Sequence, residues 1–309
     1  MAKHIAVLMG GMSKEREVSL STGKGVVHCL KKMGYEVSAI DMDENVAEKL
    51  KKAKPDVAFI ALHGTYGEDG RIQGLLEIMK IPYTHSGFLA SALAMEKDIA
   101  KKFFIDAGIP VPPGRKYRVK KLFDLAERKR LPMKKPFVVK PVNNGSSVGV
   151  FIFGEKSKFS SFNKKDWHFG KKALVEKFIP GRELSCAVLG DKALGVIELR
   201  PKKGFYDYQA KYTVGKTEHL LPAPIHPKAY KEAMRLAEKA HRTLGCRGAT
   251  RSDFRYDDTK GEPGKLYLLE INTHPGMTPL SMLPEIAAYA GIGFDELLER
   301  LVESAKMDL

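Results

Sequence analysis

Residues 251–277, RSDFRYDDTKGEPGKLYLLEINTHPGM, hold the pattern on which the rest of the chain is organised. Two short runs, Thr250–Tyr256 and Lys265–Ile271, read as strands, and DDTKGEPG between them is a turn segment of Asp, Gly and Pro. Side chains two apart on a strand share a face. Arg251 therefore points with Asp253, and Glu270 points with Asn272. If the strands pair as a hairpin, one patch collects two carboxylates, an amide oxygen and a guanidinium. Oxygen-only donors suit Mg²⁺, which usually bridges a few protein oxygens to phosphates. Arg251 beside them could hold an anion or a developing oxyanion. The plainer reading is a solvated polar face on an edge hairpin. The apolar run Leu266–Leu269 leads straight into Glu270, and NTHPGM breaks the strand after it. A carboxylate placed there is held by a rigid scaffold beside a loop, which favours a site.

Upstream the order is β–α–β–α–β. Strand Ile5–Met9 is followed by a helical pattern through Val18, Val26, Val27 and Leu30 with Gly34 as its stop. Strand Glu36–Asp41, helix Val46–Lys52 and the apolar strand Val57–Leu62 come next. This order argues for an α/β fold with a parallel sheet between helices. Ligands in such sheets sit off the strand ends, where the loops GGMSKERE and HGTYGEDG carry Glu15 and His63. Each has a plainer reading: an acid near a helix start, and a hydrogen-bonded core histidine. Neither loop is GxGxxG, which speaks against a dinucleotide-dependent oxidoreductase.

Helices are expected over Ile72–Met79 and Ala90–Ala107, the second ended by Gly108 and followed by the stiff connector Ile109–Pro113. Strand Phe137–Pro141 brings Lys140 to the loop VNNGSSVGV. Backbone N–H groups there could cradle phosphate, or the loop could only join a hairpin. Strands Ala173–Phe178 and Glu183–Leu189 follow. Lys202–Ala223 reads as one long loop, and its Phe205, Tyr206, Tyr208 and Tyr212 argue for a docking lid. Helices over His226–Gly245, Ser281–Tyr289 and the apolar stripe from Phe294 complete the chain.

At 309 residues, two or three domains are expected. No run of about 18 apolar residues occurs, so no membrane partner is expected. MAKHIAVLMGG is too short in its apolar run for a secretion signal. Cys29, Cys186 and Cys246 are scattered and read as reduced thiols of a cytoplasmic protein. The net charge is +15, with lysine spread along the chain and clusters at 51–54, 128–135 and 164–172. None alternates with aromatics as a single-strand-binding face would, so no nucleic-acid partner is expected. Charge alone leaves a non-catalytic binder of nucleotides or nucleic acid as the rival class.

Taken together, LMGGMSKEREVSL, ALHGTYGEDGRIQGLLE, SGFLASALAMEKDIAK, VVKPVNNGSSVGV, LVEKFIPGRELS, FYDYQAKYT, RSDF and LLEINTHPGMTPLSMLP resemble the D-alanine–D-alanine ligase family, of the ATP-grasp superfamily. The resemblance runs over nearly the whole chain. It implies an ATP-grasp fold preceded by a Rossmann-like domain, with units at 1–96, 97–185 and 186–309 and a lid at 202–223. It implies ATP as co-substrate, two Mg²⁺ or Mn²⁺ ions, D-alanine as substrate, and a homodimer. It implies that Glu15 holds the first D-alanine's ammonium, joined by Ser146 and Tyr212, with His63 nearby. Asp253, Glu270 and Asn272 match the metal ligands. Lys97 and Lys140 match the lysines that reach ATP phosphates, and Glu176, Phe178, Ile179 and Glu183 match the adenine and ribose contacts. Arg251 and the Gly276 N–H match the oxyanion site; Lys211, Ser281 and Met282 line the phosphate and second-substrate side. Three departures stand out: Asn144 before Gly145, His274 where a small residue is usual, and Pro279-Leu280.

Overall fold

The computed structural model describes residues 2–145, 148–202, 215–279 and 281–308. Three sheets organise it. The first is parallel, ordered β2-β1-β3, from β1 (His4–Met9), β2 (Glu36–Asp41) and β3 (Val57–Ile60). Its crossovers carry helices α1 (Arg16–Lys32) and α2 (Val46–Ala53). Every residue of β3 is buried, as its continuous apolar run demands. Ile5 and Val7 of β1 face one core, and Ala6 and Leu8 face another. Gly10, at φ +73°, ends β1 where an added Cβ would collide with the Asp41 carboxylate. That carboxylate takes two hydrogen bonds from Arg16 and fixes the start of α1.

Helix α3 (Arg71–Ile78) follows. The single helix expected over Ala90–Ala107 is two: α4 (Phe88–Met95) and α5 (Lys97–Asp106). Glu96 breaks the run at φ −85°, ψ 84°, and the Lys97 amide donates to the Val142 carbonyl at 2.9 Å. The break turns Lys97 into the first residue of a new helix and aims it at a different unit.

The second sheet is antiparallel, ordered β4-β7-β5-β6. It contains β4 (Gly114–Arg118), β5 (Phe137–Pro141), β6 (Phe151–Phe153) and β7 (Lys172–Lys177), with helix α6 (Val119–Glu127) on one face. Its core is aromatic: Phe137, Phe153, Phe159, Phe162 and Trp167 are all buried. The Gly/Ser loop joins β5 to β6 as a hairpin.

The third sheet is β10-β9-β8-β11-β12: β8 (Arg182–Leu189), β9 (Lys192–Pro201), β10 (Thr217–Leu220), β11 (Ala249–Asp257) and β12 (Lys265–Asn272). Helix α7 (Pro227–Thr243) packs its Ala233, Leu236, Ala237 and Ala240 on one face. Helices α8 (Met282–Tyr289) and α9 (Phe294–Glu303) share a core with β9 and with β1 and β3, joining the first and third sheets. Strand β10 lies inside the stretch expected to be one loop, so 202–223 is not loop throughout. The aromatic lid residues Phe205–Tyr212 lie outside the described residues.

Lysines occur throughout, but their compensating acids do not. Residues 97–185 hold 22 Lys and Arg against 8 Asp and Glu, a net +14 of the chain's +15. Among the described residues, no helix is long and apolar enough to cross a membrane.

Candidate active site

Strands β11 and β12 pair antiparallel, with Arg251 opposite Asn272 and Asp253 opposite Glu270. Directly opposed residues share a face, so all four side chains lie on one side of the sheet. The register then shifts: Phe254 pairs with Leu268, which leaves Leu269 as an extra residue on β12. This bulge decides the site. Leu266 and Leu268 are core residues, and strict alternation from them would send Glu270 into the core as well. The additional residue reverses the phase. Ile271 becomes the core residue, and Leu269, Glu270 and Asn272 face the cleft.

Two cavities meet on that face. One, of about 570 Å³, is lined by Glu15, His63, Arg251, Asn272, Gly276, Ser281 and Met282 among others. The second is a narrower slot of about 90 Å³, walled by Val138, Val150, Phe178, Ile179 and Leu269, with Lys140, Glu176, Glu183, Asp253 and Arg255 at its polar edges. Lys97 and Glu270 line both. The Lys97 ammonium sits 3.0 Å from Glu270 Oε2 and donates to the Asn144 carbonyl at 2.7 Å, so this ion pair marks the junction.

In the larger cavity, Ser13 ties the first two loops together. Its hydroxyl donates to the His63 carbonyl at 2.7 Å and accepts from the Glu15 amide at 3.1 Å. Gly64 lies so close to Glu15 that an added Cβ would be 2.6 Å from Oε2. His63 has the hydrogen-bonded core position of the plainer reading and also borders the cavity. It is buried and held by Thr22 at 3.1 Å and Glu68 at 3.3 Å, and it lines the cavity. Ser281 precedes α8 and turns its hydroxyl back to the Thr278 amide at 3.0 Å, while Gly276 leaves room beside it.

Asp253 and Glu270 each already have a cation. Arg251 grips both oxygens of Asp253 at 2.8 Å, and Ser185 donates to Oδ1 at 2.6 Å. Asn272 Oδ1 accepts from the His274 amide at 2.8 Å, which fixes the direction of the side-chain oxygen. Among the described residues no three His, Cys, Asp or Glu side chains form a metal cage. Two carboxylates and one amide oxygen suit instead a hard cation whose remaining ligands come from water or phosphate.

In the slot, Glu176 is buried between two lysines, and Lys140 reaches its Oε2 at 2.7 Å. Burial alone would raise the Glu176 carboxyl, but Lys101 and Lys140 hold it below the usual range. Sequence reasoning missed Lys101 and Arg255. Arg255 donates to the carbonyls of Ile179 at 3.1 Å and Gly181 at 2.5 Å, and so shapes the turn that carries Phe178 and Ile179. Its period-two spacing after Arg251 and Asp253 was the available signal. Lys101 lies four residues after Lys97, one turn along the same helix face. Ser146, Lys211 and Tyr212 lie outside the described residues.

The parallel sheet followed by two antiparallel ones, the slot against β5 and β7, and the carboxylate hairpin define the class: an ATP-grasp ligase. The D-ala D-ala ligase C-terminus profile matches residues 103–303, and the corresponding N-terminus profile matches 44–86. D-alanine–D-alanine ligases of Chelativorans sp. (53% identical over 307 residues, 98% of each chain) and Beijerinckia indica (51% over 311 residues, 100% of each) are similar throughout. A Bacillus anthracis D-alanine–D-alanine ligase complexed with ATP superposes with a TM-score of 0.81 at 33% identity, covering 98% of this chain and 97% of that one. The VanG D-Ala:D-Ser ligase of Enterococcus faecalis gives 0.81 at 29%, covering 98% and 99%. The chain belongs to the D-alanine–D-alanine ligase family.

Proposed function

We propose that this protein joins two D-alanine molecules, forming D-alanyl-D-alanine for peptidoglycan precursors with conversion of ATP to ADP and phosphate. The observation that carries the reading is the junction of two cavities at Lys97 and Glu270, beside Arg251, Asp253 and Asn272 on one sheet face. The apolar slot suits adenine, with Glu176, Phe178, Ile179 and Glu183 around base and ribose; the larger cavity suits two amino acids.

In this reading Glu15 takes the ammonium of the first D-alanine and leaves its carboxylate near the junction. Lys97 and Lys140 turn to the phosphates, and the carboxylate oxygen attacks the γ-phosphorus to give an acyl phosphate and ADP. The amine of the second D-alanine, placed beside Ser281 and Met282, then attacks the acyl carbon. Arg251 and the Gly276 amide hold the oxyanion until phosphate leaves with the C–O bond. Magnesium, or manganese, held by Asp253, Glu270 and Asn272 would neutralise phosphate charge; two ions are expected. No step needs a covalent side chain, because phosphoryl transfer depends on positioning and charge. Roles for Ser146, Lys211 and Tyr212 rest on family resemblance alone.

We also place subdomain boundaries near residues 96 and 185, and read the protein as a cytoplasmic homodimer. Ile78, Phe88 and Leu89 of α3 and α4 are exposed apolar residues that suit a self-contact; sedimentation tests this. The activity is tested by phosphate release with ATP, Mg²⁺ and D-alanine, and by the dipeptide formed. Release with D-serine or D-lactate but not with D-alanine alone would assign a sibling ligase.

A further inference from the structure

Beneath the nucleotide slot lies a buried cluster of three charges. Lys101 of α5 is 6% exposed and Glu176 of β7 is 3% exposed. The Lys101 ammonium is ion-paired with Oε1 of Glu176, and the Lys140 ammonium is 2.7 Å from Oε2. The two lysines differ in one respect. Lys140 lines the slot, whereas Lys101 does not. A carboxylate this deep is strongly disfavoured if left without a cation. Glu176 therefore needs one ammonium at all times and can release the other.

We propose that Lys101 is a positioning residue for nucleotide binding: by neutralising Glu176 permanently, it frees Lys140 to leave that carboxylate for the phosphates of ATP. The inference rests on the reading of Lys140 as a phosphate contact. It gives α5 a double task. Lys97, at its first residue, addresses Glu270 across the cleft, and Lys101 addresses Glu176 in the neighbouring sheet. Without Lys101, Glu176 has only Lys140, and moving Lys140 to a phosphate strands a buried anion.

The test compares ATP with adenosine binding, by calorimetry on the whole protein, in Lys101→Met and wild type. Lys101→Met weakens ATP by about tenfold or more, the scale of a charge-assisted hydrogen bond, and leaves adenosine within about twofold. In a Glu176→Gln background the same substitution changes ATP binding by less than about twofold, because no buried anion remains to be stranded. Equal weakening of ATP and adenosine, or equal loss in both backgrounds, would make Lys101 a packing residue and overturn the proposal. Should Lys101→Met not fold, the pair Lys101→Met/Glu176→Gln and Glu176→Gln, together with Lys101→Gln, decides it. Lys101→Gln then shows selective loss of ATP, and non-selective loss overturns the proposal. Wild type that binds ATP no better than adenosine would remove the phosphate role of Lys140 itself, a different failure.

Discussion

Glu270 lines both cavities, and Lys97, which lines both as well, holds it. Glu270→Gln keeps the shape and one oxygen donor but loses the charge that would hold a metal. The Mg²⁺ concentration for half-maximal turnover should rise about 10- to 100-fold, with the thermal midpoint nearly unchanged. An unaltered Mg²⁺ dependence removes Glu270 from the metal site. His274, a departure from the family pattern, is a different kind of residue. It is buried, bonded to Gln73 at 3.2 Å and to Thr273 at 3.2 Å, and packed on His85 with ring centroids 5.0 Å apart. Burial lowers His85 to about 3, His241 to about 4, and His274 well below the ordinary value. The folded chain keeps these rings neutral, whereas the unfolded chain protonates them below pH 6.5. Protons bound preferentially by the unfolded state mean that stability falls as pH drops from 6.5 towards 4, by about 1.4 kcal/mol per histidine per pH unit. The window between pH 6.5 and 5 lies above the carboxylates, so a thermal midpoint that stays level across it counts against neutral buried histidines.

At the scale of elements, the β11–β12 hairpin was legible in the sequence, and the bulge was not. The paired faces of Arg251 with Asp253 and Glu270 with Asn272 follow from strand periodicity. What brings those two faces together is the extra residue at Leu269, and Leu-Leu in an apolar run gives no signal for where a ladder slips. Deleting Leu269 should remove the bulge yet leave Glu270 opposite Asp253 on the cleft face, so the variant should keep its Mg²⁺ dependence while losing one apolar wall of the slot. Leu269→Ala keeps the bulge, and should fold normally while weakening ATP roughly tenfold through lost apolar contact in the slot. A folded deletion variant that loses its Mg²⁺ dependence would show that the pairing of Glu270 with Asp253 does not set the site. The break at Glu96 was hidden for a related reason: LASALAMEKDIAKKFF is helical by composition throughout. Only a long-range partner, the Val142 carbonyl, separates α4 from α5. Strand β10 was hidden because Thr217–Leu220 is only four residues long and mostly polar, with no apolar alternation to mark it.

For the whole molecule, the parallel first sheet and the order of motifs were readable from periodicity and resemblance. The sharing of one core by β1, β3, β9, α8 and α9 was not, because it joins residues nearly 300 positions apart. The confinement of almost all net charge to residues 97–185 bears on kinetics. Five positions within residues 97–185 illustrate it: Arg118, Lys120, Lys121, Lys171 and Lys172 are all exposed, and Arg118 stands directly across the ladder from Lys172. A polyanion diffusing nearby feels that field over roughly a Debye length, about 8 Å at physiological salt. D-alanine is a zwitterion and gains nothing from it. Raising NaCl from about 25 to 500 mM should therefore raise KM for ATP several-fold through slower capture, with KM for D-alanine nearly constant; equal shifts would refute the steering. The partition also bears on which substrate is captured faster. With that steering, dilute salt should favour the nucleotide over the net-neutral amino acids, and the preferred order of loading should shift with the electrolyte.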